Sequence, residues 1–227
     1  MRRDFFVTGT DTGVGKTVVS LALMQALQSQ GRTVVGMKPV ASGCQPSESG
    51  LVNADALQLQ ARSSVRMPYE RINPYAFEPP IAPHLAAASD GLHIEIPVIE
   101  TAYRAVAEVA DAVIVEGVGG WLVPLDARKT MADVVVALDL PVVMAVAIRL
   151  GCLNHALLTE GAVKRSGLRL AGWVANRIDP ACLRADDIVD ALRARLEVPL
   201  LADFPYLSDE CPQESQVCRI DPMLLPR

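Results

Sequence analysis

The sequence predicts an α/β fold in which a mostly parallel sheet carries helices on both faces. Three observations predict it. Short apolar, β-branched runs alternate with longer amphipathic segments, the rhythm of βαβ units. Most of these runs lack polar alternation, as strands covered on both faces do. Polar and glycine-rich residues follow one run after another, which is the pattern at the carboxyl edge of an open parallel sheet, where ligands bind.

The strand runs are residues 5–8, 33–37, 112–115, 142–148 and 170–175. Helices are expected over 16–30, 54–62, 98–110, 131–138, 154–166 and 183–196, with Gly31 and Gly167 marking the ends of the first and fifth. The proline-dense segment 73–83 reads as an ordered loop beside the sheet, because proline removes donors and disfavours helix in the residue before it. No repeat, low-complexity tract or linker divides the chain, so a single domain over residues 1–227 is expected.

Composition removes several classes of function. A chain of 227 residues with 51% hydrophobic and 21% charged residues can bury one core without staples and is not disordered. Lys and Arg number 21 against 26 for Asp and Glu, giving a formal charge of −5, the wrong sign for neutralising nucleic-acid phosphates. The most apolar stretch, 134–148, is broken by Asp139 and Pro141 and falls short of the ~20 apolar residues a membrane span needs. The start holds only Phe5, Phe6 and Val7 before Thr8, too little for a signal peptide, and predicts a cytoplasmic protein. Five scattered cysteines without a C-x-x-C suit a reducing compartment and argue against a structural zinc site.

The run Gly9-Thr10-Asp11-Thr12-Gly13-Val14-Gly15-Lys16-Thr17 follows the first strand and opens the first helix, the setting of a phosphate-binding loop and hence of a P-loop NTPase fold. Backbone N–H groups from Gly13 to Thr17 would face the phosphates. Lys16 would reach the β and γ groups, and the Thr17 hydroxyl would ligate Mg²⁺. The usual spacing wants glycine at position 10, where this chain has Thr10 and carries Gly9 instead.

Glu116 ends an apolar run, where an acid must face a cation or water; it reads as a Mg²⁺ partner or as a strand cap at the surface. The following GVGG lets backbone approach a ligand closely. Asp55 stands at a helix start, where metal binding and service to the helix dipole are equally good readings. Lys38 directly follows its strand on the ligand edge and can stabilise charge that develops in phosphoryl transfer. Ser42 and Gly43 form a small-residue loop that suits a polar ligand or simply a turn, and Asn176 either reads adenine or forms a turn. His84 and His155 receive no role.

With GTDTGVGKT, KPVASG, NADAL, NPYAF, VEGVGGWLVPL, KTMADV, LGCLNH and AGWVAN in this order, the chain resembles the dethiobiotin synthetase family as far as about Leu207. The displaced glycine belongs to that pattern. The resemblance implies a Mg²⁺- and ATP-dependent ligase that joins CO₂ to the two amines of 7,8-diaminononanoate and closes the cyclic urea of dethiobiotin, a step of biotin synthesis. It implies a carbamate, then a carbamic-phosphoric mixed anhydride, then ring closure. Position by position, Lys38 and Lys16 become catalytic, and Thr17, Asp55 and Glu116 metal-associated. Thr12 and Ser42 contact the carbamylated substrate. Gly13, Val14, Gly15, Lys16, Thr17, Val18, Gly117, Val118, Gly119, Asn176, Pro205, Tyr206 and Leu207 correspond to nucleotide contacts. The resemblance further implies a homodimer in which Gly151, Cys152, Leu153 and Asn154 hold the substrate's carboxylate tail in the partner's site. Many members carry an acid where this chain has Gly13, and Trp where it has Tyr206. The competing reading is a dimeric P-loop ATPase switch of the partition or division type; such proteins carry an extra lysine early in the loop, where this chain has Thr10 and Asp11.

Overall fold

A computed structural model describes residues 2–48, 50–206 and 218–225. Six strands, β1 (Phe5–Gly9), β2 (Val34–Met37), β7 (Ala112–Gly120), β8 (Val142–Ala147), β9 (Leu170–Asn176) and β10 (Leu200–Phe204), form one sheet in the order β10-β9-β8-β1-β7-β2. Every neighbouring pair is parallel. Parallel strands need crossovers, and these are supplied by α1 (Lys16–Gln28), α2 (Ala54–Arg62), α5 (Ile96–Ala107), α6 (Met131–Leu138), α7 (Cys152–Arg165) and α8 (Ala185–Arg193).

The unbroken apolar runs are explained by two cores, one on each face of the sheet. Phe6, Met37, Val115, Met144 and Trp173 point to one side, where α5, α6 and α7 pack. Phe5, Val7, Ile114, Val143 and Val174 point to the other, where α1 lays down Val19, Leu23 and Leu27 at helical spacing. Both members of each alternation are therefore apolar.

Helix starts differ in a way that bears on function. Asn53 caps α2, accepting the N–H groups of Asp55 and Ala56, and Thr130 with Asp133 forms a capping box on α6. By contrast, α1 and α7 begin after left-handed Gly15 and Gly151 with no side-chain cap. The Cys152 N–H turns back to the Arg149 carbonyl at 3.1 Å, and the other first-turn N–H groups of the two helices meet no capping side chain at the ligand edge.

Several boundaries differ from the sequence expectation. The third run continues through Glu116 to Gly120 as β7, which stays paired with β1 across an irregularity: Val7 lies opposite Glu116, but Gly9 lies opposite Gly120. Segment 73–83 is not simply a loop: β6 (Tyr75–Phe77) pairs in parallel with β3 (Val40–Ser42), and Pro83 opens α4 (Pro83–Ser89), where its missing N–H is harmless. The sequence reading also omitted β10, the hairpin of β4 (Gln45–Ser47) and β5 (Gly50–Val52), and the single turn α3 (Tyr69–Ile72). The helix expected over 154–166 starts at Cys152, which makes Gly151 its N-cap residue. No helix among the described residues is long and apolar enough to cross a membrane.

Trp173, on the fifth strand of the sheet, is fully buried. Trp173→Ala should destabilise the fold by about 3–5 kcal/mol in urea unfolding. A loss below about 1 kcal/mol would mean that this face is loosely packed.

Candidate active site

The carboxyl ends of β1, β2 and β7 bring together residues far apart in sequence. Lys38 follows β2 immediately, and its Nζ lies 2.5 Å from Glu116 Oε1 on β7 and 2.9 Å from Asp55 Oδ2 on α2. Thr17, in the first turn of α1, donates its hydroxyl to the same Glu116 Oε1 at 3.1 Å. Lys16 donates to the carbonyls of Asp11, 3.1 Å away, and Gly119, 2.8 Å away. Both lysines are buried, and Glu116 is completely so.

These contacts bear on two open readings. Glu116 is not a surface cap, because it has no exposure and faces an ammonium and a hydroxyl. Asp55 stands in the first turn of α2, where its charge suits the helix dipole; Asn53 accepts the helix's first N–H groups, and the Asp55 carboxylate pairs with Lys38.

The charges follow from the pairing. Burial works against the Lys38 ammonium, but the Glu116 and Asp55 carboxylates outweigh it and hold its pKa above the ordinary lysine value. Burial also works against the Asp55 carboxylate, and Lys38 more than offsets this, leaving its pKa lowered. Lys16 has only carbonyl acceptors; burial, then the nearby positive charge of Lys38, pushes it down to about 8. At neutral pH both ammonium groups still carry charge.

The phosphate loop is shaped by close contacts. Gly15 has φ 86°, and a Cβ there would come within 2.0 Å of Asn176 Nδ2. That amide donates to the Val14 carbonyl at 2.9 Å, so Asn176 props the loop from beneath. Thr12 is exposed, its N–H bound to Asp11 Oδ1 at 2.7 Å, and its hydroxyl lies near Gly119. Gly13 is exposed as well, while Val14 is buried and Val18 partly so. Gly117 does not serve close approach to a ligand: a Cβ there would lie 2.8 Å from Phe6 Cζ, so its smallness admits that ring. Val118 and Gly119 stay partly exposed beyond it.

Around this centre, Ser42 Oγ is buried with no partner among the described residues. Pro205 and Tyr206 follow β10 beside the end of β9, exposed and close in register to Asn176; Leu207 lies outside the described residues. Gly151 and Asn154 are exposed at the start of α7, whereas the Cys152 side chain is buried and burial raises its thiol pKa. This segment does not join the lysine cluster. Its link to the phosphate loop is Arg149, whose Nη2 pairs with Asp11 Oδ2 at 2.8 Å.

Sequence reasoning missed the residues that hold Lys38 in place. Asn73 Nδ2 donates to the Lys38 carbonyl at 2.7 Å; the Tyr69 hydroxyl donates to Asn73 Oδ1 and accepts from the Asn53 N–H. Asn53 was recognisable as an N-cap before Ala54, and Arg149 as a cation directly after a strand. Tyr69 and Asn73 meet locally, across the single turn of α3, but their reach to Lys38 and Asn53 is made by tertiary folding and carries no local signature.

The cluster suits a hard divalent cation. Its donors are two carboxylates and a hydroxyl, all oxygen, and Glu116 Oε2 is buried without a partner among the described residues. Thr17, Asp55 and Glu116 can thus hold an ion that keeps most of its remaining coordination for water and phosphate.

Gly15→Ala forces a left-handed alanine against Asn176. ATP binding, followed by fluorescence of a labelled analogue, should weaken about tenfold or more while circular dichroism stays native. Unchanged affinity would mean that the loop conformation does not matter for binding.

The same chain matches a family model described as an AAA domain over residues 3–213. Among solved structures, the ParA family ATPase from Chlorobium tepidum TLS is similar with a TM-score of 0.55 at 15% identity, covering 98% of this chain and 92% of that one. The MinC:MinD cell division protein complex of Aquifex aeolicus contains a chain with a TM-score of 0.54 at 16% identity, covering 93% and 83%. At such identities the likeness establishes the P-loop NTPase fold alone. Sequence relatives are far nearer. ATP-dependent dethiobiotin synthetase BioD of Xanthomonas oryzae pv. oryzae (strain PXO99A) is 49% identical over 205 residues, 90% of this chain and 92% of that protein. The protein of that name from Aromatoleum aromaticum is 48% identical over 212 residues, covering 93% and 94%, and one from Yersinia pestis bv. Antiqua is 47% identical over 209, covering 92% and 87%. Identity of this order extends along nine-tenths of the chain, and the chain belongs to the dethiobiotin synthetase family.

Proposed function

We propose that this chain is an ATP-dependent cyclo-ligase that joins CO₂ to the two amines of 7,8-diaminononanoate, giving dethiobiotin, ADP and phosphate. The observation that carries this reading is a second buried ammonium, Lys38, beside the phosphate-loop lysine. Hydrolysis of ATP gathers one set of negative charges; carboxylation of an amine adds a carbamate, which must lie against the triphosphate. Two cations at one loop answer that requirement.

In this reading the first amine takes up CO₂ as a carbamate held by the Thr12 and Ser42 hydroxyls, the latter already buried without a partner. Lys38 neutralises the carbamate oxygen that receives the γ-phosphoryl group. Lys16 leaves two neutral carbonyls for the phosphates, an exchange in which a charged acceptor replaces a neutral one in each hydrogen bond. The second amine then attacks the carbamoyl carbon, the C–O bond to phosphate breaks, and the urea ring closes. A bound Mg²⁺, held by Thr17, Asp55 and Glu116, supplies charge neutralisation on the phosphate oxygens. Asn176, Pro205 and Tyr206 bound the place for the base, and Tyr206 offers a smaller ring than the Trp of many relatives.

The chain acts as a homodimer in the same reading. The uncapped start of α7 at Gly151, Cys152, Leu153 and Asn154 receives the carboxylate tail of the partner's substrate. Nearly full exposure of Leu150, at 97%, beside this segment supports a covering partner. Free thiols at Cys44, Cys152, Cys182 and Cys218 support a place in the cytoplasm. The fold shared with ParA and MinD does not favour the ATPase-switch reading, because it is common to both branches.

Pure protein incubated with the diamine, labelled bicarbonate and Mg-ATP should place acid-stable label in a cyclic urea. ATP hydrolysis that ignores the diamine and responds to a protein partner would contradict the ligase reading. Lys16→Ala should abolish turnover. Lys38→Leu should lower kcat by about 10²–10³, a larger loss than its loss of ATP affinity, and full activity in it would remove Lys38 from the chemistry.

A further inference from the structure

Lys38 occupies the very oxygens that a divalent ion would need. Its ammonium contacts Glu116 Oε1 at 2.5 Å and Asp55 Oδ2 at 2.9 Å, and both carboxylates belong to the proposed metal set. Lys38 and Glu116 are out of water, with 4% and 0% exposure, so neither charge can be screened by solvent. Thr17 completes the arrangement by donating to Glu116 Oε1.

The charges decide what happens when a metal arrives. Two carboxylates and one ammonium sum to −1, which attracts a cation to the unpartnered Glu116 Oε2. A divalent ion that joined them with the ammonium still in place would bring the sum to +1, two cations sharing one pair of carboxylates in a buried site. Lys16 adds a third positive group close by. The arrangement becomes balanced only when further anions are present.

We propose that Lys38 is the resident counter-ion of the metal site: its ammonium competes with the divalent ion for Asp55 and Glu116, and the triphosphate, by offering that ammonium another anion, releases both carboxylates to the metal. The proposal rests on the reading that Asp55 and Glu116 hold the metal. Its consequence is that metal binds weakly to the chain alone and tightly beside nucleotide, and the coupling is reciprocal by linkage. The same exchange delivers Lys38 to the reacting anions only in a site that is already loaded.

The test uses Mn²⁺ as the probe and counts free ion by electron paramagnetic resonance, with no turnover involved. Nucleotide-free Lys38→Met should bind Mn²⁺ about tenfold or more tightly than the unaltered chain. Lys38→Arg, which keeps the charge, should bind like the unaltered chain, and the gain of Lys38→Met should vanish when Asp55→Asn is added. A non-hydrolysable ATP analogue should raise Mn²⁺ affinity less in Lys38→Met than in the unaltered chain. Should Lys38→Met fail to fold, Lys38→Gln carries the same comparison.

Two results overturn the proposal while leaving the metal reading intact: Lys38→Met binding no more tightly although Asp55→Asn and Glu116→Gln weaken Mn²⁺ binding beside ADP, or Lys38→Arg gaining as much as Lys38→Met. A gain that survives Asp55→Asn also overturns it, since the ion then sits elsewhere. If neither Asp55→Asn nor Glu116→Gln alters Mn²⁺ binding beside ADP, the metal reading itself falls and takes the proposal with it.

Discussion

A lysine ammonium held out of water between two carboxylates is the constraint around which the ligand edge of this protein is built. Lys38, Glu116 and Asp55 come from two strands and a helix, so their meeting requires the sheet order, the crossover through α2 and the cap at Asn53 together. Stranding either member of the buried Lys38–Glu116 pair costs about 3–5 kcal/mol, whereas an apolar replacement of such a pair is often neutral or favourable; Asp55, with its side chain 40% exposed, is partly screened by water. Stability is therefore a poor reason for keeping the cluster. Its value lies in chemistry that needs cations and oxygen ligands at one spot.

The rest of the architecture serves that spot. Parallel strands place all their carboxyl ends on one edge, and two helices begin there without side-chain caps while two others are capped by their own residues. Uncapped N–H groups, two ammonium groups and a carboxylate pair make an edge that is receptive to several anions at once. Asn176 under Val14 and Phe6 against Gly117 fix the backbone on which those groups stand. Arg149, paired with Asp11, joins the phosphate loop to the start of α7, and so ties one site's phosphate loop to the segment proposed to hold the tail of the partner's substrate.

Much of this was legible in sequence because it is local. The phosphate loop carries its own strand-turn-helix context, and Lys38 betrays itself by following an apolar run at once. Glu116 and Asp55 stayed ambiguous for a physical reason: burial and long-range ion pairing are tertiary facts. Only the fold reveals that the Asp55 carboxylate reaches Lys38 and that Glu116 lies inside β7. The extension of β7 was hidden because glycine is a weak strand former, and β6 was hidden because prolines flank it. Tyr69 and Asn73 are neighbours on one helical turn, but nothing local in the chain announces that the pair supports Lys38, 35 residues away from Asn73. Family resemblance supplied what neither periodicity nor spacing could, namely the diamine substrate and the carbamate.

The central claim is that this cluster holds a carbamate against ATP so that the γ-phosphoryl group passes directly to a carbamate oxygen. Oxygen labelling tests it most directly. With ¹⁸O-labelled CO₂ and unlabelled water, each ring closure should release one phosphate carrying a single ¹⁸O, with the other label retained in the urea. Phosphate free of label, released in step with urea formation, would contradict direct transfer and with it the account of why two lysines stand at one loop.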